Sequence, residues 1–366
     1  MSKIIQIFRQ DARFAWISAG LLFLLLRIVF AYSPAACEFL YARGIFLAIR
    51  AIMDNTLGLL PFASLYLLVI LLLWWAFGSL RKALKAWKSL SPFQRIKEFL
   101  LSTAAFLGFV LVTFLGLWGF NYARQPFEAQ SGINAQPLSL EALKTEANWA
   151  ISNLITARAS IPNIDTNALS PEKLAADYEH EMSRQLETVL AKMNFPVTGK
   201  VRGREIYPQG LLMRLGATGV YLPWVSEGHI DAALPASQKP FTMAHELGHG
   251  YGFGDEAVCN FLGFAACMGS KNPLIQYSGY LSYYRYLANE IYTLDKTAFD
   301  SLRAQIPTGA RNDLNQLYAV YERYPCFYPN FQNVAYNAFL QTQGVKEGVL
   351  SYNRMILLVA AWRKTM

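Results

Sequence analysis

Hydrophobic positions are spread unevenly along this chain and divide it into an apolar first third and a mixed remainder. Three runs are almost free of charge: Phe14 to Ala36, interrupted only by Arg27, a second between Asp54 and Arg81, and a third between Glu98 and Arg124. A bilayer core takes about 20 helical residues, whereas buried helices of soluble proteins are usually shorter and carry a polar stripe. The pattern therefore predicts three transmembrane helices, at about 14–36, 57–80 and 99–122, in a membrane region spanning 1–124. A cleaved signal peptide is the rival reading of the first run, since Lys3, Arg9 and Arg13 precede it and Ser33-Pro34-Ala35-Ala36 supplies small residues near its end. Its length favours an uncleaved anchor.

After Arg124 the pattern changes. Residues 125–136 lose apolar character and read as a linker, and a folded domain is expected over 137–366. Two helices open it, one from Ser139 and one from Ser170, where Pro171 and Glu172 follow the capping serine as start signals. The stretches GKVRGREIYP, ATGVYLPW and EGHIDAAL are short β-prone runs divided by Gly and Pro, and they predict a small sheet. Beyond Leu274 the chain reads as helical again. The expected fold is mainly α, with an α+β domain behind the membrane helices.

Composition and charge sharpen the division. Apolar residues make up 54% of the chain and charged residues 16%, against about a quarter charged in soluble proteins. The net charge of +8 is concentrated at the membrane flanks: Arg81, Lys82, Lys85, Lys88, Arg95 and Lys97 lie between the second and third runs. Basic flanks stay in the cytoplasm, so the N-terminus is expected inside, and everything after Arg124 outside, with the lipid bilayer as a partner. No basic stripe with interleaved aromatics stands out in the C-terminal part, which argues against nucleic acid. Cys37, Cys259, Cys267 and Cys326 form no metal pattern. Cys259 and Cys267 lie about 12 Å apart along one helix, too far to bridge, and pairing of Cys326 with either in an oxidising compartment stays open.

The chemistry concentrates in MAHELGHGYGFGDEAVCNF, Met243 to Phe261. On a helix His245 and His249 share one face, so two imidazoles can converge on one ion, with Glu246 beside them as general base. This H-E-x-x-H arrangement implies Zn2+ and hydrolysis of a peptide or protein substrate. Gly250, Gly252 and Gly254 let the chain turn back. Asp255 can then cap a second helix and Glu256 return as third ligand, with Asp255 as its competitor. Asn260, one turn on, is a candidate to orient a ligand histidine. His229, Tyr251 and Tyr280 are candidates by type for the oxyanion or substrate. His180, among charged residues, reads as a solvated side chain.

The chain resembles a bacterial membrane-protein family called domain of unknown function 3810. The resemblance is carried by LLPFASLYLLVILLLWW, WGFNYARQP, GVYLPWVSEGHI, FTMAHELGHGYGFGDEAVCNFLGF, YSGYLSYYRYL and NAFLQTQGVKEGVLSYNRMILLVAAW. The site is also similar to gluzincin-type peptidases. That likeness implies a zincin-like fold, with His245, His249 and Glu256 as ligands and Glu246 as base, although the loop between His249 and Glu256 is shorter than in thermolysin-like enzymes. The expectation is a membrane-anchored zinc metallopeptidase acting on envelope or exported proteins. The alternative is a membrane sensor or assembly factor with a structural metal. An intramembrane protease is disfavoured, because Lys239, Asp255 and Glu256 flank the motif and Val258 to Gly269 is too short to cross.

Overall fold

The computed structural model describes residues 11–87, 89–329 and 354–365. Lys3, Arg9, Lys88 and most of the C-terminal stretch NAFLQTQGVKEGVLSYNRMILLVAAW lie outside the described residues. The chain forms two compact units, one of residues 1–125 with 223–225, the other of 126–222 with 226–366.

In the first unit, α1 (Ala12–Tyr32), α2 (Phe46–Asp54), α3 (Ser64–Trp87) and α4 (Pro92–Leu117) are joined by short helical turns. Helices α1, α3 and α4 are long and apolar enough to cross a membrane. Their ends differ from the hydropathy pattern because local caps set them. The third helix begins at Pro92, where Ser91 and Gln94 form a reciprocal capping box. The basic stretch after Arg81 is therefore mostly helix rather than loop, and the second helix starts only at Ser64. Helices α1 and α4 touch backbone to backbone: a Cβ on Gly20 would lie 2.7 Å from the Gly108 Cα, an approach open only to small residues. Nearby, Arg124 pairs with the buried Glu38 at 2.7 Å.

The second unit carries α5 (Leu140–Ala159), α6 (Tyr178–Lys192), β1 (Arg202–Ile206), β2 (Gly219–Leu222), β3 (Glu227–Asp231), α7 (Lys239–Gly250) and α8 (Glu256–Gly269). Then come α9 (Pro273–Leu294), α10 (Lys296–Ala304), α11 (Thr308–Arg323) and α12 (Arg354–Arg363). Ser139 caps α5 as expected, its hydroxyl accepting from the Ala142 amide. The second helix does not start at Pro171. Residues 171–173 form a single 3-10 turn, Leu174 is extended, and α6 begins after Asp177. The linker expected at 125–136 is structured as well: Phe127 opens a short helix and is buried against Phe195, Phe253 and Phe261.

The three strands fall where the sequence predicts them, in the order β1-β3-β2, with β1 parallel and β2 antiparallel to the central, wholly buried β3. Two strand glycines let the sheet lie close on α7. A side chain at Gly203 would strike Met243, and one at Gly228 would come within 2.9 Å of the Glu246 Cβ. Helices α6, α7, α8 and α9 bury their apolar faces together in one core that includes Met182, Leu247, Phe261 and Leu281. Cys37, Cys259 and Cys267 are buried free thiols.

Candidate metal centre

Helix α7 presents His245 and His249 on one face, and the turn after it decides their orientation. Gly252 adopts φ +87°, a left-handed conformation natural to glycine, so the chain reverses and brings the Phe253 carbonyl back over His249. His249 Nδ1 donates to that carbonyl at 2.8 Å, and His245 Nδ1 donates to Asn260 Oδ1 at 2.9 Å. Both rings are thereby held with Nε2 inward, the arrangement a metal ligand needs. The two Nε2 atoms stand 3.1 Å apart. Glu256 Oε2 lies 3.2 Å from His245 Nε2 and 3.6 Å from His249 Nε2.

These three atoms form a triangle whose size has a physical meaning. Ligands at the usual zinc distance of about 2.0–2.1 Å on a tetrahedron lie about 3.3 Å from one another. The observed edges bracket that value, so the donors fit a zinc ion without rearrangement. Among the described residues, these three are the only group of at least three His, Cys, Asp or Glu side chains that converge in this way.

Electrostatics favours positive charge at the same point. Burial opposes ionisation of Glu256, but His249 and His245 outweigh it and hold its carboxyl well below the ordinary range. Burial likewise opposes a charged His249, yet Cys259 and Glu256 raise its pKa well above the imidazole norm. The Cys259 thiol lies 3.4 Å from His249 Nδ1 and is pushed by burial to about 11, so it stays a neutral thiol rather than a competing thiolate.

Glu246 stands next to this triangle under β2 and β3. Burial raises its pKa, partly offset by the two histidines. A side chain at Gly219 would collide with Glu246 Oε1, so the glycine reserves the space that the carboxylate fills. Glu246 Oε2 has no hydrogen-bond donor among the described residues although the residue is buried. Such orphaned acceptors are rare in folded interiors and call for a partner from outside the chain.

The remaining sequence candidates separate. Asp255 does not join the triangle; it caps α8 through the Ala257 and Val258 amides and pairs with Arg354 at 2.6 Å. Tyr251 is buried, its hydroxyl donating to Glu187 at 2.7 Å, and Tyr280 packs edge-on against Trp149 and Phe264. The Tyr251 hydroxyl is thereby already engaged. His229 is fully buried beside Glu227, 3.3 Å from its Oε2. Because Gly228 faces Glu246, its neighbour His229 points to the other side of the strand. His180 pairs with Glu179 at 3.2 Å and remains largely exposed. Burial pushes the Tyr286 phenol of α9 well above its usual pKa.

A family described as a protein of unknown function, DUF3810, matches residues 41–360. The chain belongs to this family. The match runs from the helical turns after α1 into α12 and so covers both units and the whole candidate centre. No curated protein and no solved structure matches the chain.

Proposed function

We propose that this DUF3810 protein is a membrane-anchored zinc metallopeptidase. The observation that carries the reading is the triangle of His245 Nε2, His249 Nε2 and Glu256 Oε2, closed to within a few tenths of an ångström of a tetrahedral face. Bound there, zinc supplies a Lewis acid that acidifies a water molecule and polarises a peptide carbonyl. Glu246 takes the proton of the attacking water and later returns it to the departing amine. Asn260 and the Phe253 carbonyl hold the two imidazoles in the ligating tautomer.

A purely structural site has no use for a second carboxylate, and the Glu246 oxygen that has no donor among the described residues favours catalysis over that alternative. The basic flanks of α3 and α4 would hold their connecting turn in the cytoplasm and the metal centre outside it. Envelope or exported polypeptides are the substrates accessible to that side.

The test is zinc content and peptide hydrolysis of the detergent-purified full chain beside His249→Ala and Glu246→Gln. The expected result is about one zinc in the native chain and in Glu246→Gln, none in His249→Ala, and about a 10²- to 10⁴-fold loss of hydrolysis in Glu246→Gln. A folded native chain that takes up no supplied zinc overturns the reading.

A further inference from the structure

Two of the three donor groups at the metal centre are joined by a turn that is soft by itself. Between His249 and Glu256 the chain carries Gly250, Gly252 and Gly254, and three glycines in five residues lend the backbone little stiffness. Glu256 is the first residue of α8, in a turn that frays unless its amides are capped. The turn is fastened from outside, and two neighbouring residues of one segment take part. Phe127 packs edge-to-face on Phe253 at 5.9 Å, and Phe253 supplies the carbonyl that accepts from His249. Glu128 Oε1 lies 3.2 Å from Arg354 Nε, and Arg354 Nη2 donates to Asp255 Oδ2 at 2.6 Å.

The two oxygens of Asp255 have separate duties. Oδ1 accepts the Ala257 and Val258 amides at 2.9 and 3.2 Å and so starts α8, while Oδ2 is held by the guanidinium. A carboxylate fixed at both oxygens keeps one orientation, and with it the backbone from which the next residue, Glu256, reaches His245 and His249. Arginine suits this place, since its planar fork addresses two carboxylates along two directions at once. Its own position is set by α12, whose Met355, Ile356, Leu358 and Val359 are buried in the core and whose Trp362 packs edge-on against Phe261 of α8 at 5.8 Å. The Arg354, Asp255 and Glu128 side chains are 32%, 30% and 28% exposed. Ion pairs so placed add little to folding free energy, so the consequence of this one lies in geometry.

We propose that Arg354 is a positioning residue of the metal centre: fastened to Glu128, it holds Asp255 and thereby delivers Glu256 to the two histidines. The proposal rests on the zinc reading above. The segment that opens the second unit and the last helix of the chain thus act together on the third ligand.

The experiment measures zinc affinity of the detergent-purified full chain by competition with a chelating dye, and the visible absorption of cobalt bound in place of zinc. Arg354→Gln and Asp255→Asn are each expected to weaken zinc about 10-fold, as loss of a partner that orients a ligand does. Combining them should weaken it no further, because both remove the same contact. Arg354→Lys, which keeps the charge, recovers most of the affinity, and Glu128→Gln weakens zinc by a smaller factor than Arg354→Gln. Cobalt absorption should fall in the weakened chains as water replaces Glu256. Arg363→Gln removes the ion pair at the other end of α12, with Glu146 at 2.5 Å, and should leave both readings at native values. Native affinity and an unaltered cobalt spectrum in Arg354→Gln overturn the assignment. So does an Arg363→Gln chain that weakens zinc as much, which would make α12 a general support. Should Arg354→Gln fail to fold, Asp255→Asn reads the same contact from its other side. A native chain that binds zinc regardless of Arg354 loses only this proposal, whereas a native chain that takes up no zinc loses the metal centre as well.

Discussion

Asp313 and Glu246 are both buried carboxylates, 0% and 5% exposed, but their surroundings differ in kind. Asp313 Oδ2 accepts from Arg158 Nε at 2.8 Å and from the Tyr277 hydroxyl at 2.7 Å, while Oδ1 accepts the Leu169 amide at 2.7 Å. The Arg158 guanidinium also donates to the carbonyls of Asp165 and Asn167 at 2.8 and 2.7 Å. Glu246 has an oxygen with no donor among the described residues, and the histidines beside it turn their second nitrogens toward each other and toward a carboxylate. One cluster satisfies itself and ties α5, α9 and α11 together. The other is complete only with something added, which is the mark of a site rather than a brace.

The largest effect that separates the two is on folding. Asp313→Ala leaves Arg158 buried without its carboxylate and should cost about 3–5 kcal/mol. It would be read as a large drop in the thermal midpoint of the zinc-free chain in detergent. A loss below about 1 kcal/mol would break the contrast, because the Arg158 cluster would then carry no more of the fold than an ordinary surface pair.

Much of this arrangement is legible in the sequence because it is local. His245, Glu246 and His249 share a helix by spacing alone, Asp255 announces the next helix as a cap, and that cap frees Glu256 to reach back. The three strands announce themselves by β-prone runs between Gly and Pro. What the sequence does not show depends on distance or on hidden geometry. Arg158 and Asp313 are 155 positions apart, and no periodicity pairs them. Tyr277 is one of several tyrosines in YSGYLSYYRYL, and helical spacing does not say which of them meets Asp313. Gly219 and Gly228 carried a usable signal, since glycine inside a strand marks a close approach, but what approaches is fixed only by the packing of α7. The false start at Ser170 has the same origin: its capping signals are sound locally, and they yield one turn before tertiary packing extends the chain at Leu174.

A smaller effect tests the open cluster. Asn260 touches no metal position itself; it acts by holding His245. Asn260→Ala should weaken zinc about 10- to 100-fold, as loss of a ligand-orienting partner typically does, with the fold intact. Competition against a chelating dye measures it. Unchanged zinc affinity would mean that His245 is oriented by α7 packing alone.

The smallest effect belongs to the satisfied cluster and has a direction in pH. Burial raises the Tyr277 phenol well above its usual pKa near 10, and the neighbouring Asp313 carboxylate raises it further. The folded chain therefore keeps this proton at pH values where the unfolded chain releases it. The stabilisation is fully present below about pH 10 and is lost as pH rises through the folded value. Tyr277→Phe removes the hydroxyl and its bond to Asp313, at a cost of about 1–2 kcal/mol near neutrality. The difference in thermal midpoint between the native chain and this variant should then shrink as pH climbs above about 10, because only the native chain has that proton to lose. A gap that stays constant into strong alkali would show that the Tyr277 hydroxyl contributes by packing. Asp313 would then be held by Arg158 and the Leu169 amide without it.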